Sequence, residues 1–137
     1  MTTDQTSAID AVYQIIVDDN PALATKTFIG FTPSSATGLV RELTEDEGTY
    51  KETFAPGIQL EMPMVEIGLR GVPEDYTGPR NEAIRLRRLI SRVADYELED
   101  IRILRFVPEG GILHLGRDES RRTMFTLRFT AVMKVRE

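Results

Sequence analysis

The 137-residue chain has no cysteine, no tryptophan and a single histidine, His114. Without cysteine there are no disulfides, thiolate zinc sites, iron–sulfur clusters or cysteine nucleophiles. One histidine excludes a multi-histidine metal site within one chain, and a Ser/His/Asp triad would have to use it. No apolar run approaches the roughly 20 residues of a membrane-spanning helix. The start, MTTDQTSAID, has neither the basic nor the apolar region of a secretory signal, so none is expected. Basic residues are outnumbered, 17 against 22 acidic, for a formal net charge of −5. An acidic chain is a poor general nucleic-acid binder, although a local basic patch remains compatible with it. What is present is 41% hydrophobic and 28% charged residues, the balance of an ordinary soluble domain. A chain this long buries roughly two-thirds of its unfolded surface and needs no staples. One domain over 1–137 is expected.

Hydrophobic spacing predicts a helix over 6–19, capped by Thr6 or Ser7, with Ile9, Val12, Tyr13 and Ile16 on its apolar face. It stops before Pro21. Thr27–Phe31 and Leu39–Leu43 read as short strands around a turn-rich segment. Residues 44–57 read as a mobile loop: 42–52 hold five acids and one lysine. That composition fits a solvated loop or an acidic arm that orders on a partner. Pro63–Gly71 alternates as a half-buried strand. Pro79 opens a second helix reaching residue 94, with Ala83, Leu86, Leu89, Ile90, Val93 and Ala94 on one face and Arg85, Arg88 and Arg92 opposite. Ile101–Val107 reads as a strand ending at Pro108, and Gly110-Gly111 as a turn. Residues 112–116 then lead to a polar hairpin, 117–122. Thr123–Arg136 alternates most clearly, with Phe125, Leu127, Phe129, Ala131, Met133 and Val135 on one face and Arg128, Lys134 and Arg136 on the other. The expected fold is α+β: a two-layer sandwich with a mostly antiparallel sheet of four to five strands and two helices on one face.

The chain lacks G-x-x-x-x-G-K-[ST], G-x-G-x-x-G and H-E-x-x-H. The acidic pairs Asp18-Asp19, Glu74-Asp75, Glu99-Asp100 and Asp118-Glu119 sit at turns or helix ends. Adjacent carboxylates do not face each other across a cleft as glycosidase chemistry requires. His114, among Ile112, Leu113 and Leu115, reads as a sheet residue, with a general base or a metal ligand shared between copies as the rival roles. Arg85, Arg88 and Arg92 form a solvated helix face, a protein interface or, least in keeping with the charge, a nucleic-acid contact.

Two blocks resemble tailed-phage minor capsid or tail-terminator proteins. One is Met64-Val-Glu-Ile-Gly-Leu-Arg-Gly71, followed by Tyr76 and the helix from Pro79. The other is Leu115-Gly-Arg-Asp-Glu-Ser-Arg-Arg-Thr-Met-Phe125, a hairpin leading into the last strand. The resemblance covers roughly residues 6–136. It departs at 45–62, where Gly48 stands alone in place of the family's Gly-Gly turn. It implies helices packed on an antiparallel sheet, no catalysis and no cofactor. It also implies a hexameric ring of this chain at the tail–head junction of a virion, assembled in the host cytoplasm. Such a ring caps the tail-tube protein, ends its polymerisation and meets a head-side connector, while DNA passes through without specific binding. Candidate contacts to neighbouring subunits or the tube are Glu45, Asp46, Glu47, Arg85, Arg88, Arg92, Arg117, Asp118, Glu119, Arg121 and Arg122. Arg70 and Tyr76 are equally readable as structural. The alternatives are another head–tail joining or tail-tube protein, or a small ligand-binding α+β domain outside phages.

Overall fold

The computed structural model describes residues 7–52 and 59–135, of which 47–52, 59 and 135 are described in backbone only. The expectations placed on Thr6, on 53–57 and on Arg136 lie outside the described residues. Helix α1 runs Ala8–Asp19. The Ser7 N–H and hydroxyl both donate to Asp10 Oδ2, at 2.8 and 3.0 Å, which closes its first turn. Ala8, Ala11, Val12, Ile15 and Ile16 are buried, a stripe at helical spacing. Ile9 and Tyr13, expected on that stripe, flank it half-buried. Pro21 ends the helix, and a 3₁₀ segment, Pro21–Lys26, follows.

Six strands form one sheet: β1 (Thr27–Ile29), β2 (Val40–Glu52), β3 (Gln59–Pro73), β4 (Ala94–Leu98), β5 (Ile101–Arg117) and β6 (Arg122–Val135). Their spatial order is β1-β2-β3-β6-β5-β4. The β1–β2 pair is parallel and the others antiparallel. Helix α2, Thr77–Ser91, lies between β3 and β4 in the chain. The class is α+β, as expected, but the expected sandwich of four to five strands is corrected to a six-stranded mixed sheet with three helical segments.

Three departures have clear causes. Residues 44–52 are not loop: β2 continues through them against β3, with a bulge between Asp46 and Thr49. Backbone pairing is indifferent to charge, so an acidic composition does not exclude a strand. Gly110-Gly111 is not a turn: β5 continues through it, and its register against β6 shifts between Glu109 and Leu113. A glycine at φ +66° absorbs such a bulge as readily as it makes a turn. The second helix stops at Ser91, so Ala94 begins β4, a strand the sequence hid among acids. Arg102 Nη2 holds it through Asp95 Oδ2 at 2.7 Å.

Register explains the core. Leu43 pairs with Ile67 and Ile67 with Leu127; Leu69 pairs with Phe125 and Val65 with Phe129. Directly paired residues share a face, so these side chains form one apolar surface. Against it pack the α1 stripe and Ala83, Leu86 and Ile90 of α2. Phe129 is fully buried and meets Phe106 edge-on, ring centroids 6.4 Å apart. The other face carries Glu66, whose carboxylate accepts from the Thr126 hydroxyl at 2.8 Å and lies 3.6 Å from Arg128.

One ion pair crosses from sheet to helix layer inside this core. Arg41 of β2 and Glu82 of α2 are both buried, and Arg41 Nη2 donates to Glu82 Oε2. Burial, and then the positive charge of Arg85, lowers Arg41 to about 10, so it stays charged at neutral pH. Glu82→Ala strands that guanidinium and should destabilise the fold by about 3–5 kcal/mol, whereas Arg41→Met with Glu82→Leu should be far milder. Urea denaturation of the two variants checks the difference. Gly71 is fixed by space: a Cβ there would lie 2.7 Å from Pro79 Cγ and 2.9 Å from its Cδ. Gly71→Ala should cost about 1–3 kcal/mol, read as a lowered midpoint in the same experiment.

Candidate functional site

Helix α2 buries Pro79, Glu82, Ala83, Leu86 and Ile90. Positions 81, 84, 85, 88 and 92 then fall on a second face by helical spacing. That face and Asp19 at the end of α1 form a groove of about 650 Å³, lined among others by Ile84, Arg85, Arg88, Leu89 and Arg92. The three arginines expected together are thus brought to one surface, but they are not equivalent. Arg85 is engaged within the chain: its Nε donates to Glu82 Oε1 at 2.6 Å and its Nη1 to Asp19 Oδ2 at 2.6 Å. The Glu82/Arg85 spacing of three residues was a signal for this pairing. Arg88 and Arg92 are exposed and make no ion pair among the described residues. Arg87 turns away and donates to the Gly110 carbonyl at 2.7 Å.

The acidic candidates divide similarly. Glu45 and Asp46 lie in β2, beside Met64, Glu66 and Arg128. Glu47 lies in the bulged part of the same strand. Glu45 lies near the N–H of Ala8, the first residue of α1, which favours its charged form. Crowding around its carboxyl raises the Glu45 pKa; the Ala8 N–H opposes this, and the charges of Asp10 and Glu61 raise it further. Three carboxylates therefore gather where α1 begins, and Arg85 stands where α1 ends. A 12-residue helix separates these points by about 18 Å.

The expected hairpin is a tight turn between β5 and β6. Asp118 organises it, accepting from the N–H groups of Ser120 at 3.0 Å and Arg122 at 2.9 Å, and from Arg122 Nε at 2.7 Å. Arg121 takes φ +63°. It pairs with Glu74 at 2.7 Å, and Arg117 approaches the same carboxylate at 3.6 Å. Arg117, Asp118, Arg121 and Arg122 therefore hold the hairpin and the β3–α2 corner together; Glu119 is exposed. Asp75 accepts from the Gly78 N–H at 3.1 Å in that corner, so the Glu74-Asp75 pair is structural.

His114 is exposed beside Tyr76 and Phe125, ring centroids 5.3 and 5.1 Å away. Arg70 Nη2 donates to the Ala36 carbonyl at 2.8 Å and pins the β1–β2 connection to the sheet. Burial, then the nearby Arg122, lowers its pKa. Among the described residues no group of three His, Asp or Glu side chains is placed to hold a metal. The sequence reading missed a dimple of about 240 Å³ over Gly68, bordered by Val40, Leu115 and Met124. Alternation could not reveal it, because bulges in β5 decide where Leu115 points.

The Asp118 carboxyl is held below the usual range, first by the Arg122 N–H and then by the Arg122 side chain. A depressed carboxylate stabilises the fold above its unfolded pKa of about 3.9 and loses that contribution as pH falls through its folded value. Asp118→Asn should therefore flatten the acid limb of the stability–pH curve and speed amide exchange at Arg122, both measurable by NMR.

No family model matches the chain, and no curated protein does. Among solved structures, one similar chain belongs to the "Virion of native gene transfer agent (GTA) particle". The likeness covers 94% of this chain and 99% of that one, with a TM-score of 0.70 and 12% sequence identity. The fold described above, nearly end to end, is thus shared with a chain of that virion.

Proposed function

We propose that this chain is a structural protein of a phage-like virion and acts by assembly, without catalysis. The observation that carries this reading is the fold shared over nearly the whole of both chains with a gene transfer agent virion chain. The finer reading is a tail terminator: a ring, hexameric by family resemblance, that seats on the tail tube, ends its growth and meets a head-side connector. Support comes from the two sequence blocks. The Arg70-Gly71 block is the end of β3 packed on Pro79, and the Leu115–Phe125 block is the β5–β6 hairpin. Both are local devices that hold one corner of the fold, so they speak for the scaffold. Support for assembly comes from charge: residues 80–92 carry five arginines and one glutamate in a chain whose net charge is −5. The proposed location is the virion, at the tail–head junction.

The test mixes the chain with a tail-tube protein of its own particle and images the products by electron microscopy. The expected result is one ring at a tube end, and tubes shorter than those grown without it. Long tubes built from this chain itself would make it a tube subunit. Failure to bind tube ends or to alter their length would sink the terminator reading. Double-stranded DNA should show no specific retention at about 0.15 M salt, where binding rests on phosphate neutralisation.

A further inference from the structure

The two charged surfaces cannot meet within one chain. Asp10, Glu45 and Glu61 gather at the start of α1, and the groove with Arg88 and Arg92 opens beside its end. A rigid helix of about 18 Å holds them apart. Both lie on the helix-bearing side of the sheet. Asp10 and Ala8 belong to α1 itself, and Glu61 pairs with the core residue Met133 and shares its face. The carboxylates repel one another, and Asp10 is otherwise occupied by the Ser7 cap. On the other surface Arg85 is neutralised by Asp19 and Glu82, which leaves Arg88 and Arg92 as the cations that project from the groove, over the apolar Ile84 and Leu89.

The geometry points to a head-to-tail contact in which the acidic start of α1 in one copy, with Glu45 and Glu61, docks into the Arg88/Arg92 groove of the next copy. The two patches differ, so the contact is heterologous: each copy offers one groove and one acidic end. Such a contact propagates, and whether it closes depends on the rotation between copies. The inference rests on the assembly reading above and supplies its contact. Charge complementarity selects the occupant: Arg88 and Arg92 of the groove make no ion pair among the described residues, and this chain presents concentrated negative charge elsewhere on its surface.

A charge-swap experiment tests it. Variant A carries Arg88→Glu and Arg92→Glu; variant B carries Glu45→Lys and Glu61→Lys. Self-association is followed by sedimentation velocity at low ionic strength. Wild type should associate increasingly with concentration, and about 0.5 M salt should weaken this. Each variant alone should associate about tenfold or more weakly. Mixed in equal amounts they should recover association, because A's acidic groove meets B's basic end and B's groove meets A's end. The products should alternate A and B, visible by native mass spectrometry. Should B fold poorly by circular dichroism, Glu45→Gln with Glu61→Gln removes the charge at constant shape and should weaken association likewise.

Wild type that stays monomeric at millimolar concentration overturns the contact. So do variants that associate like wild type, or a mixture that recovers nothing. The two readings fail separately. Alternating open chains that never cap a tube would keep the contact and remove the terminator role. Rings on tube ends formed equally well by variant A would keep the role and remove the contact.

Discussion

The buried pair between Arg41 and Glu82 is the constraint around which the rest is arranged. Arg41 sits on the core face of β2, where a hydrophobic residue would be the default, and its charge survives only because Glu82 reaches it from α2. Glu82 in turn is held by Arg85, and Arg85 by Asp19. One chain of four charges thus links the sheet to both helices. Such a pair adds little net stability compared with a well-packed apolar substitute, but losing either partner strands a buried charge, so it ties α2, which packs on β3, β5 and β6, to the neighbouring strand β2. The position of α2 then decides which of its arginines are consumed and which are left over the groove. Function, on the assembly reading, begins with that subtraction.

How much of this could be read from the sequence varied with how local the signal was. The alternation from Thr123 to Val135 and the stripe Ala83, Leu86, Ile90 are short-range patterns, and the elements they predict are present. The acidic stretch of β2 was not legible, because its strand character comes from pairing with β3, which begins only at Gln59. Gly110-Gly111 was misleading for a related reason: glycine permits both a bulge and a turn, and only the neighbouring β6 decides between them. The short β4 hides because neither its composition nor its length stands out from a loop.

The candidate site was legible in charge and illegible in pairing. Helical spacing gathered Arg85, Arg88 and Arg92 correctly, yet only tertiary contact separates Arg85 from the other two. The 117–122 segment shows the reverse. Its charges looked outward, but Asp118, Arg121 and Arg122 mostly satisfy one another or Glu74, and the segment is a brace for a corner. A charged residue within reach of a backbone turn is most readily spent on that turn.

The bulges of β5 have a consequence for how such a protein behaves in a crowded cell. Beyond Arg105, β4 no longer covers β5, and a straight strand there would offer its unpaired amides to any extended peptide. Gly110 and Gly116, both at positive φ, bend that margin, and Arg87 occupies one of its carbonyls. By spoiling the sheet's margin for strand addition, these few atoms guard a long, partly uncovered outer strand against amyloid-like pairing.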